Sequence, residues 1–134
     1  MSNKMHNYYL EVKKMENARQ ELPLHEMLKK TVSRVQGSDT KVYLGLYKFN
    51  TIFFDFTTHT YEVYHSYVLC TKKPIIQGDR VEYDSKTLLM GGSMPSDIYG
   101  KMRIEIQEAV KFGESEGELI EGSKFDFPKI YRLR

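Results

Sequence analysis

Apolar positions along the chain follow two periods. Between residues 22 and 36, Leu24, Leu28, Thr31, Val32 and Val35, with Met27, recur at the three- and four-residue spacing of one helical face. Pro23 suits a first helical position and Gly37 stands where a C-terminal cap belongs, so a helix is predicted over about 23–36. Lys29, Lys30 and Arg34 fall off that stripe, near the helix C-terminus, where the dipole favours cations.

Most of the remaining pattern alternates every second residue, the period of a strand. Asn7–Lys13 places Tyr8, Leu10 and Val12 on one face. Lys41–Phe49 places Val42, Leu44 and Leu46 together, with Tyr43 and Tyr47 opposite, around Gly45. Thr51–Thr57 groups Ile52, Phe54 and Phe56, and Thr60–Cys70 groups Tyr61, Val63, His65, Tyr67 and Leu69. After the turn Gln77-Gly78-Asp79, Arg80–Asp84 points Val81 and Tyr83 inward. A final strand, Phe125–Leu133, is interrupted by Pro128, which would confine it to a sheet edge.

The segment after Gly91 fits both periods. Read as a helix over about 96–111, capped by Ser93 or Ser96, it buries Ile98, Met102, Ile106, Ala109 and Val110 and ends before Gly113. Read as a strand, it alternates Met102, Ile104 and Ile106 with polar neighbours. The helix is the favoured reading. The fold expected is therefore α+β: an antiparallel sheet of five or six strands, one secure helix and a second. The leading strands are apolar on both faces, so the sheet should be covered on both sides, by helix or by another subunit. Homo-oligomerisation is the corresponding expectation.

Composition narrows the class without naming a function. The 134 residues are 40% hydrophobic and 28% charged, which suits a single globular domain and excludes disorder and coiled coil. No apolar run approaches the roughly 20 residues of a membrane helix. The opening MSNKMHNYYLEVKK lacks the apolar core of a secretory signal, so a cytoplasmic location is expected. The formal charge of +2 permits nucleic acid without requiring it. That total hides an asymmetry: residues 113–122 hold four glutamates, while 124–134 carry Lys124, Lys129, Arg132 and Arg134 against Asp126 alone.

Candidate chemistry is sparse. One cysteine, Cys70, closes an apolar strand and reads as a small buried hydrophobe. His59 and His65 share one strand parity, yet neither stands in a His-x-Ser/Thr unit and no carboxylate shares their face to orient a ring. Two histidines so spaced do not make a zinc site, and neither a metal nor a cofactor is expected. Arg80, Glu82 and Asp84 read as an outward salt-bridge ladder. Phosphate-binding, nucleophile-elbow and metalloprotease motifs are absent.

Two features suggest binding. Gly91-Gly92-Ser93, read as a turn before a helix, would offer free amides to a phosphate. Bases interleave with aromatics at Lys101, Arg103, Tyr131 and Arg132, the residue types that hold phosphates and stack bases. The leading expectation is a small non-catalytic binding protein, acting as an inhibitor, adaptor or sequestering protein on a protein partner or a small phosphorylated ligand. A nucleotide or nucleic-acid binder using those residues is the alternative, and a small hydrolase or phosphoesterase using His59 and His65 is the third.

Overall fold

The computed structural model describes residues 23–35, 39–54, 59–97 and 99–134. The strand expected at Asn7–Lys13 and the cap at Gly37 lie outside them. Two helices, α1 (Leu24–Val35) and α2 (Ile104–Glu116), pack on a sheet built from five strands. These are β1 (Val42–Phe54), β2 (His59–Cys70), β5 (Leu88–Pro95), β6 (Gly117–Gly122) and β7 (Lys129–Leu133). Their order is β5-β2-β1-β7-β6, and every pairing is antiparallel. A small second sheet pairs β3 (Ile75–Gln77) with β4 (Arg80–Glu82). The α+β class with about five strands is thus the architecture of the chain.

The alternation read from the sequence sets what each face buries. Val42, Leu44 and Leu46 of β1, Tyr67 and Leu69 of β2, and Tyr131 and Leu133 of β7 share one face. Onto it pack Leu24, Leu28 and Val32 of α1 and Ile106, Ala109 and Phe112 of α2, forming the main core. Each such aliphatic side chain, removed from water, contributes about 1.5–3 kcal/mol. The helices also lock to each other: the Glu108 carboxylate of α2 accepts the Leu24 N–H at 3.1 Å, placing an anion at the start of α1. Met27, grouped with the apolar stripe, is 39% exposed and belongs to its edge.

The opposite face is covered in part by the β3–β4 hairpin. Val81 packs with Val68 and Cys70, and Pro74 is fully buried beside them. Gly45 makes room for the hairpin, since a Cβ there would lie 2.8 Å from a Val81 methyl. Farther along this face Tyr47, Phe49 and Tyr64 stack in series, with centroids 5.9 and 5.4 Å apart.

Several boundaries differ from the expectations, each for a local reason. Lys41–Phe49 and Thr51–Thr57 are not two strands. β1 runs on through Asn50, which pairs with Val63, because no turn interrupts it. Gly91, Gly92 and Ser93 form no turn and start no helix; they are the middle of β5, opposite Val68, Tyr67 and Ser66. The turn comes later, where Asp97 Oδ1 accepts the amides of Tyr99 and Lys101. That delays α2 to Ile104. Helical rather than strand periodicity prevails there: Ile106 is buried while Ile104 is 73% exposed. Gly113 lies inside α2, against the Tyr131 ring, and not beyond its end. The last strand is not an edge. Pro128, joined to Phe127 by a cis peptide, ends the preceding loop, so β7 keeps its amides and pairs with both β1 and β6. The acidic stretch 113–122 supplies the end of α2 and the true edge strand β6. Among the described residues no helix is long and apolar enough to cross a membrane.

Candidate functional site

The helix-covered face of the sheet ends in polar residues, and there a cavity opens. Register places Lys48 of β1 opposite His65 of β2, and His65 opposite Met94 of β5, all on the helix side. The turn before α2 brings Lys101 and Met102 over this end, and the β6–β7 loop brings Phe125, Asp126 and Phe127. Together with Gln107, all of these except Met94 line a cavity of about 400 Å3. Helix, sheet and loop each contribute one wall.

His65 is 3% exposed and held on two sides. Its Nδ1 lies 2.6 Å from Ser96 Oγ, and its ring meets Phe127 edge-on at 5.3 Å. Ser96 is itself fixed by its N–H, which donates to the Val63 carbonyl at 2.7 Å. Burial, reinforced by the Lys48 ammonium, pushes the imidazole below its usual value. His65 is therefore neutral at pH 7, able to donate or accept one hydrogen bond into the cavity.

That shift has a consequence for stability. The unfolded chain takes up a proton on His65 near pH 6.5, before the folded protein does, so stability falls as pH drops through and below that value. His65→Gln is expected to remove this part of the acid dependence. Melting temperatures between pH 7 and pH 5 check it: a variant profile as steep as that of the wild type would refute the assignment.

Lys129 builds the loop rather than the site. At 3% exposure, its Nζ donates to the Lys124 carbonyl at 2.9 Å and lies 4.8 Å from the Phe127 ring centroid. Burial lowers its pKa, while Glu114 and Asp126 pull it back. The ammonium thus ties both ends of the segment carrying Phe125 and Asp126 to the sheet. Lys48 and Lys101 form no ion pair among the described residues. Asp126 spends one oxygen on the Phe127 N–H.

The residues singled out from sequence do not converge. Lys101 lines the cavity. Arg103 is the exposed N-cap of α2. Tyr131 is buried in the core, its hydroxyl without a hydrogen-bond partner among the described residues, and burial together with Glu114 raises its pKa. Arg132 lies on the opposite sheet face and bonds Glu118 at 3.0 Å. Gly91, Gly92 and Ser93 lie in β5, separated from β7 by two strands. The cavity's further residues, Lys48, Gln107, Phe125, Asp126 and Phe127, carry no local motif. Only the parity of Lys48 and His65 on adjacent strands could have paired them.

Ser96 does not line the cavity, so its contact with His65 orients the ring rather than presenting a nucleophile. The side chain of His59 lies outside the described residues. Cys70 is buried, with burial pushing its thiol to about 11 against a smaller opposing pull from Thr87. Among the described residues no three His, Cys, Asp or Glu side chains are grouped to hold a metal. No protein-family profile, curated protein or solved structure matches the chain.

Proposed function

We propose that this protein is a small non-catalytic binding protein that sequesters a phosphorylated small molecule in the cavity between Lys48, His65 and Lys101. The observation that supports this is two ammonium groups without ion-pair partners among the described residues, beside an aromatic wall and around a cavity of about 400 Å3. That volume falls within the range of about 300–1,000 Å3 common to ligand sites. Lys48 and Lys101 neutralise a phosphate. Phe125, 91% exposed, offers a ring face for an aromatic group. The neutral His65 and the free oxygen of Asp126 read the polar groups between, so the ligand carries hydrogen-bond donors besides its anion.

Titration calorimetry with a nucleoside monophosphate and with inorganic phosphate tests the reading. Each lysine is worth about 1.5–3 kcal/mol as a charge-assisted contact, so Lys48→Ala or Lys101→Ala should weaken the monophosphate by about 10- to 100-fold. Affinity should also fall as salt rises. Unchanged affinity in the double variant would remove this cavity as the site. The stacked Tyr47, Phe49 and Tyr64 on the other face support a second reading, a protein partner docked there through aromatic anchors.

A further inference from the structure

We propose that β5 pairs edge to edge with β5 of a second copy, joining two sheets across a twofold axis through the Gly91-Gly92 segment. The two edges of the sheet are built differently. β6 carries Glu118 and Glu121, which bond Arg132 and Lys73, and its register shifts between Leu119 and Glu121. Charges, prolines and an irregular register are among the means by which sheet edges resist pairing. β5 has none of them from Met90 to Met94: its sequence LLMGGSMP holds no charged residue, its one proline only closes the strand at Pro95, and its register from Met90 to Pro95 is unbroken.

The free hydrogen-bonding groups of β5 can be assigned. Ser96 N–H bonds the Val63 carbonyl, in the register that sets Met94 opposite His65 and Gly92 opposite Tyr67. Doubly bonded pairs alternate with open ones in an antiparallel ladder. The N–H and C=O groups of Gly91 and Ser93 therefore point away from β2, and both residues are exposed. Among the described residues no strand pairs with them.

The occupant is a second copy because of symmetry. In a twofold pairing each residue meets its own segment, so any charge near the axis would face a like charge. A strand with no charge over eight residues, in a chain that is 28% charged, avoids this along its whole length. At its centre Gly91 and Gly92 present no side chain, and the backbones can approach without obstruction.

Native mass spectrometry and light scattering across a concentration series test the proposal on the full chain. The wild type should be a dimer. Ser93→Pro removes one outward N–H and leaves the bonds to β2 intact, so it should be a folded monomer with an unchanged circular dichroism spectrum. Should that variant fail to fold, Ser93→Lys decides, since it keeps the N–H and sets like charges across the axis. A wild type that stays monomeric throughout, or a folded Ser93→Pro or Ser93→Lys that stays dimeric, overturns the proposal.

Discussion

Phe112→Ala should cost about 3–5 kcal/mol of folding stability. Phe112 is 2% exposed, and its ring joins both helices to the sheet. It meets His25 of α1 edge-on at 5.3 Å and belongs to the same cluster as Leu28, Leu44 and Leu133. Neither helix can close over the space its removal leaves, because α1 is anchored to α2 through Leu24 and Glu108. A crevice of about 160 Å3, lined by Val32, Ser33 and Leu133, already flanks the ring. Water reaching the new hole by that route would find apolar walls and offset little. For a domain whose total stability is about 5–15 kcal/mol, this loss is a large share. Urea unfolding checks it: the midpoint should fall sharply with the slope unchanged. A cost under about 1 kcal/mol would mean that the ring is not part of the core.

Gly122→Ala should cost about 2–4 kcal/mol and abolish the nucleoside-monophosphate binding proposed above, although Gly122 does not line the cavity. Its φ is +90°, where a Cβ is strained in any surroundings. The surroundings are also full: the added carbon would meet the Pro128 carbonyl and lie 2.8 Å from Lys129 Cα. Both obstacles are backbone and cannot rotate aside. Gly122 begins the loop that carries Phe125, Asp126 and Phe127 into the cavity, so relief of the clash displaces that wall. Gly78→Ala is the matched comparison, having a φ of +63° with nothing within 4 Å of the added carbon. It should show only the conformational cost, about 1 kcal/mol, with the monophosphate affinity intact. Equal behaviour of the two variants would refute the steric argument.

How legible each part was depends on how local its cause is. α1 could be read outright, because Pro23 and the stripe Leu24, Leu28, Val32 are signals within one segment. The faces of β1 and β2 could be read from alternation, which each strand carries by itself. The start of α2 could not, since it is set by Asp97 capturing the amides of Tyr99 and Lys101, and Ser93 and Ser96 look like equally good caps. Gly91 and Gly92 suggested a turn because a glycine pair usually needs positive φ. In β5 neither glycine adopts it, and pairing with β2 holds both extended. Pro128 would mark an edge only inside a strand, and it stands immediately before Lys129, where β7 begins. The cavity was the least legible feature. Lys48, His65, Lys101 and Phe127 are distant in sequence and converge through the pairing of β1 with β2 and the β6–β7 loop. That convergence is a property of the topology, which no segment states alone.

The hairpin that covers Gly45 has a kinetic consequence for Cys70. β3 and β4 contribute three residues each, and they are held to the sheet chiefly through Val81 and Pro74. So small an anchor should let the hairpin lift while the main core stays closed, a local opening that native-state hydrogen exchange at Val81 would register as a free energy below that of global unfolding. Cys70 shares the cluster that such a movement uncovers. Its reactivity toward an alkylating reagent is then governed by how often the hairpin lifts, with the thiol acting as a gated clock on one corner of the molecule.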